Sequence, residues 1–149
     1  MNDGPPDLIA IDHDTYAARH IGRTAEGYQF FLTTPFVPAK PPREGSEFIA
    51  LYLFNTEGKL LEAKIDDLGP RAQLDDDRHQ QVREQRLREL GEVEFGRIEV
   101  QPFTVARFGV AFGLVPRPPD TETDDWAVEA MPGNYMAFFP PWDIGEYDT

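Results

Sequence analysis

The sequence contains no cysteine. That absence removes disulfides, thiolate metal sites and cysteine nucleophiles together. Serine is almost as scarce: Ser46 is the only one, and it has no G-x-S-x-G turn around it to expose a catalytic hydroxyl. No GxxxxGK[ST] phosphate loop, GxGxxG dinucleotide turn or HExxH helix occurs. The sequence also lacks internal repeats, heptads and low-complexity blocks. No apolar run approaches the roughly 18 residues of a membrane span, and the first residues are acidic where a secretory signal would be basic. Positive charge is scarce too: 14 bases face 27 acids, for a net charge of −13. A field of that sign repels nucleic-acid phosphates and anionic head groups. The expectation is a soluble, cytoplasmic acidic protein with neither nucleic acid nor membrane as its partner.

What is present suits a globular chain. Hydrophobic residues make up 40% and aromatics 12%, too many for a disordered acidic segment. The 149 residues fit one domain, which at this size buries roughly 68–70% of the surface of its unfolded chain. Residues 1–7 read as a short flexible lead and 140–149 as an acidic, aromatic tail.

The strongest element signal is 48–54. It is apolar on both alternating faces, as a strand covered on both sides should be. Asn55, Thr56, Glu57 and Gly58 supply turn chemistry, and 59–65 alternates again, so a β-hairpin is expected. Shorter strands are expected at 8–11, 28–32 and 126–130, the last returning through a Pro132-Gly133 turn into 135–139. Leu74 to Leu90 lacks Gly and Pro and carries acids at its start and arginines at its end, which matches the helix dipole. Its apolar positions are only Leu74, Val82, Leu87 and Leu90, so it should lie on the outside of a sheet. The apolar phase changes between Phe95 and Ile98, which places a β-bulge at Gly96-Arg97. Prolines 35, 38, 41 and 42 mark 34–46 as a loop open to a partner. The fold class is α+β: a largely antiparallel, twisted sheet of about six to eight strands with one principal helix.

Three function classes stay open. Residues 118–149 hold eight acids and no base, and so −8 of the −13. Both tryptophans, Trp126 and Trp142, are here as well, with Tyr135, Phe138, Phe139 and Tyr147. Aromatics with a charged rim are the composition of interface centres. The leading reading is a non-enzymatic module that binds a basic protein, for example an immunity-type inhibitor of a toxin or nuclease. In it Trp142 and Tyr147 anchor the partner while Asp143, Glu146 and Asp148 steer it; the alternative is that these aromatics are core. A second class is a small enzyme or ligand-binding domain. Its carboxylates would be Asp66 and Asp67, with Asp75, Asp76 and Asp77 near, and its cleft floor the small residues Gly109, Ala111 and Gly113. Those acids also break a strand and open a helix, and their spacing matches no calcium loop. The third class is a homo-oligomer packed through the aromatic end. No metal, cofactor or catalytic residue is assigned. Asp12-His13-Asp14 does not make a metal cluster on an extended chain, because neighbouring side chains diverge.

Overall fold

The computed structural model describes residues 4–133 and 135–149. Residues 1–3 of the expected lead and Asn134 of the expected turn lie outside the described residues. The strands, in chain order, are β1 (Ile9–Ile11), β2 (Ile21–Thr24), β3 (Gln29–Thr33), β4 (Phe36–Val37), β5 (Ser46–Phe54) and β6 (Leu60–Asp67), then β7 (Val93–Phe95), β8 (Ile98–Val100), β9 (Phe103–Arg107), β10 (Val110–Arg117), β11 (Ala127–Met131) and β12 (Ala137–Phe138). Between β6 and β7 lies α1 (Asp76–Glu89), preceded by a single 3-10 turn at Arg71–Gln73. The α+β class holds, with every strand pair antiparallel. Twelve short strands in three sheets replace the single sheet of six to eight.

The 46–67 hairpin organises the largest sheet. β5 pairs with β6 along one edge, Ala50 opposite Ile65 and Tyr52 opposite Ala63. Its other edge takes β3 and the short β4. The Asn55 side chain closes the turn by accepting the Glu57 and Lys59 amides, both at 2.9 Å. The doubly apolar pattern of β5 has a direct cause. Phe48, Ala50, Tyr52 and Phe54 enter the main core with Phe31, Phe112 and Phe138. Ile49 and Leu51 point the other way, into a second cluster with Phe30, Leu32 and Leu68.

The helix covers that second cluster with Val82 and Leu87, joined by Leu74 and Leu90 just beyond its two ends. None of its residues is fully buried. Asp75 caps it, accepting the Asp77 and Arg78 amides at 3.0 and 3.3 Å, which satisfies two donors that a helix start leaves free.

Three local expectations change. The switch of apolar phase at Gly96-Arg97 is a change of sheet, because β7 pairs with β2 and β8 with β1. The proline-rich loop contains β4, whose Phe36 and Val37 sit between Pro35 and Pro38 and pair with Glu47 and Ser46. Gly109, Ala111 and Gly113 do not share one strand face: β9 and β10 meet at Phe108-Gly109, where both residues have positive φ (54° and 71°), the backbone of a type I′ turn. A four-stranded sheet then runs β12-β11-β10-β9.

Candidate functional site

The C-terminal residues are tied into the fold through their backbone. The Ala10 amide donates to the Trp142 carbonyl and the Asp12 amide to the Gly145 carbonyl, both at 2.9 Å, while Asp148 bridges Ala137 through two hydrogen bonds. Trp142 and Tyr147 are half-buried and pack against the main core. The Tyr147 hydroxyl donates to Asp14 at 2.5 Å and accepts the Ala17 amide at 3.1 Å. Burial, then the bond to Asp14, pushes the Tyr147 phenol up to about 12. Burial also opposes ionisation of Asp14, but the bonds from Tyr147 and from the Tyr16 and Ala18 amides outweigh it and hold its carboxyl below the ordinary range. Exposed in this segment are Pro141, Asp143, Ile144, Glu146, Asp148 and Thr149, with Phe139 just before it.

Topology brings two acidic connections together. Residues 118–126 join β10 to β11, and the chain leaves β12 toward 139–146 at that same end of the sheet, since β11 and β12 are antiparallel neighbours. The bridge between Ala137 and Asp148 sets Phe139 near Glu146. Asp120, Glu122, Asp124 and Asp125 are exposed on the first connection, and Asp143 and Glu146 on the second. Among the described residues Glu129 is the one of the eight acids that pairs with a cation, Arg117 at 3.2 Å. Ile144 is 51% exposed and Phe139 39%.

The carboxylate pair has structural partners. Arg86 on α1 grips both oxygens of Asp66 at 2.9 Å, and Asp67 accepts the Gly69 amide at 2.9 Å. Asp75 is occupied as the helix cap, so the two acid clusters do not share a cleft. Among the described residues no group of three or more His, Asp and Glu side chains is arranged to hold a metal ion. Asp12, His13 and Asp14 serve separate partners: Arg97 at 2.9 Å, the Arg19 carbonyl at 3.0 Å, and Tyr147.

The small-residue face does not form the floor of a cleft. Gly109 is in the turn, Ala111 is exposed, and a Cβ on Gly113 would stand 2.1 Å from the Phe103 carbonyl oxygen. The bare strip is where the neighbouring strand and the Phe103 ring approach.

Another cleft was not marked by any motif. It consists of two adjoining cavities between the 15–20 segment, the end of β3, α1 and Tyr135. The inner one, of about 90 Å³, is lined by Arg19, His20, Thr33, Arg83 and Tyr135 with no carboxylate. The outer one, of about 390 Å³, shares Tyr16, Arg19 and Tyr135 with it and adds Phe36, Arg71 and His79. Glu47 is the one acid on its wall, and it is paired with Arg71 at 3.1 Å. Tyr135 closes the inner end with its hydroxyl 2.9 Å from that of Thr33. Burial, then the charges of Arg19, Arg83 and His13, depresses the His20 imidazolium; burial and Arg83 do the same to His79 against the opposing Glu47 and Asp76. The residues come from six separated stretches of chain, so no local spacing announces them.

Compared with known proteins, the sequence matches no family model and no curated protein, and the fold matches no solved structure.

Proposed function

We propose that this chain is a non-enzymatic binding module that masks or recruits a basic protein, an immunity-type inhibitor of a basic toxin or nuclease being one concrete form. The observation that supports the reading is that the 118–126 and 139–146 connections leave the four-stranded sheet at one end and carry six exposed carboxylates together with exposed Phe139 and Ile144. The acids act over distance. Their field steers a cationic partner and speeds encounter, with a range of about 8 Å at physiological salt. Phe139 and Ile144 act on contact, since desolvated apolar groups at the centre of a patch hold the complex. Trp142 and Tyr147 support this surface from beneath, with Asp143 and Glu146 on the rim and Asp148 at the sheet edge. Two copies would present the same acids to each other, so self-association through this end is opposed by like charge.

The test uses immobilised chain and host extract, with any retained protein then purified for kinetics. Changing Asp120, Glu122, Asp124 and Asp125 to Asn or Gln should slow association of that protein, most strongly at low salt. Phe139→Ala with Ile144→Ala should leave association nearly unchanged and raise the dissociation rate about tenfold or more. A partner held equally well by both variants would place the binding surface elsewhere and refute the proposal.

A further inference from the structure

Of the 14 bases, five have a carboxylate within ion-pair distance among the described residues: Arg71, Arg86, Arg97, Arg117 and Lys64. Arg19 and Arg83 both line the inner cavity, yet neither forms an ion pair among the described residues. Arg83 is half-buried on α1, where an uncompensated guanidinium has lost part of its hydration without a counter-charge in return. His20 and His79 stand beside these arginines and carry imidazoles whose protonation an added anion would favour. The inner cavity therefore gathers two arginines and a histidine with no carboxylate on its wall, in a chain of net charge −13.

From this we infer that the cleft is a binding site for the phosphoryl group of a small phosphate monoester. The inner cavity of about 90 Å³ exceeds several-fold the roughly 10–15 Å³ that one water occupies by such a measure, which leaves room for a tetrahedral oxyanion. Arginine forks present parallel N–H donors that suit two phosphoryl oxygens at once. Thr34 and the imidazole N–H groups supply further donors around the rim, and Tyr135 with Leu32 forms an uncharged back wall. The organic part of the ester would occupy the outer cavity against the exposed Tyr16 ring and Phe36, over which the Arg71 guanidinium lies 5.7 Å from the ring centre. This site is distinct from the acidic sheet end: Tyr135 belongs to the β11–β12 connection, at the opposite end of that sheet.

The experiment titrates the whole chain with inorganic phosphate and with phenyl phosphate at constant ionic strength, read by calorimetry and by the arginine Nε–H and histidine resonances. Saturable binding is expected, with phenyl phosphate the tighter of the two and the perturbed signals confined to Arg19, Arg83, His20 and His79. Arg83→Gln and Arg19→Gln should each weaken binding about tenfold or more, the loss expected when a charge-assisted phosphate contact is removed, while Arg88→Gln on the exposed part of the same helix should leave it unchanged. Absence of saturation, or equal weakening by Arg88→Gln, overturns the site, because either means that phosphate acts only as a screening ion. Phenyl phosphate binding no more tightly than phosphate overturns the assignment of the outer cavity. Acetate binding as tightly as phosphate overturns the phosphoryl class.

Discussion

Tyr147 offers the sharpest test of how the C-terminal segment is used. Its hydroxyl stands between an ionised carboxylate and a backbone amide that come from the same turn, residues 14–18. Tyr147→Phe keeps the ring, which packs against the main core and sits 6.0 Å from Phe138, and deletes only the polar bridge. A hydrogen bond to a charged group is worth about 1.5–3 kcal/mol. The lower end applies because Asp14 is only half-buried and keeps the Tyr16 and Ala18 amides as donors. The expected loss is therefore about 1.5–2 kcal/mol at neutral pH, measured by urea denaturation with an unchanged slope.

The same bridge sets a pH dependence whose sign is fixed. Asp14 is held below its ordinary value of 3.8 in the folded chain. Its stabilising contribution is present above the unfolded value and disappears as pH falls through the folded one. Tyr147→Phe raises the folded value toward the ordinary one, so the gap between parent and variant should narrow in acid. In an Asp14→Asn background the Tyr147→Phe cost should shrink, since the charge is already gone. A loss below about 0.5 kcal/mol at neutral pH, or the same loss in both backgrounds, would show that Tyr147 is free of the turn and available to a partner.

Two further substitutions probe the packing. Val82→Asp sets a charge against the cluster of Phe30, Leu32 and Ile49 and should cost about 1–3 kcal/mol by thermal or chemical denaturation. Gly113→Ala drives a Cβ to 2.1 Å from the Phe103 carbonyl at a φ of 143° and should cost about 2–4 kcal/mol, whereas Gly109→Ala, with open space at its turn position, should cost about 1–2 kcal/mol.

The sequence was most readable where one force dominated locally. The two apolar faces of β5 and the four apolar residues of the 74–90 stretch each correspond to a specific cluster, because period and burial are set by the same geometry. The acids at the start of 74–90 were legible as a match to the helix dipole, but that Asp75 lies outside α1 and caps it, accepting amides two and three residues away, was not. Reading became unreliable where non-local pairing overrode local pattern. β2 carries Gly22 and exposed Arg23 within four residues and gives no alternation, yet it is held between β3 and β7. β4 lies between prolines and exists because β5 offers it an edge. The stretch from Val93 to Val100 reads as one bulged strand, and only the separate partners β2 and β1 divide it into two.

Charge was the least readable property, because a net value hides where opposite signs gather. The −13 of the chain describes its field at a distance, where the exposed acids at the end of the four-stranded sheet dominate. At a range shorter than a Debye length of about 8 Å, the sign is set by whichever side chains the fold has collected. Arg19 and His20 arrive from the turn before β2, Arg71 from the 3-10 turn, His79 and Arg83 from α1, and none of them forms a cluster in the chain with all the others. Their assembly needs β3 and β5 to hold α1 across from the 15–20 segment, so it follows from the burial of Leu32, Ile49 and Val82. The apolar contacts that were legible in the sequence are therefore the cause of the cationic cleft that was not. A substitution that loosens α1 should disturb that cleft before it reaches the acidic end, where the support comes from the core beneath Trp142 and Tyr147.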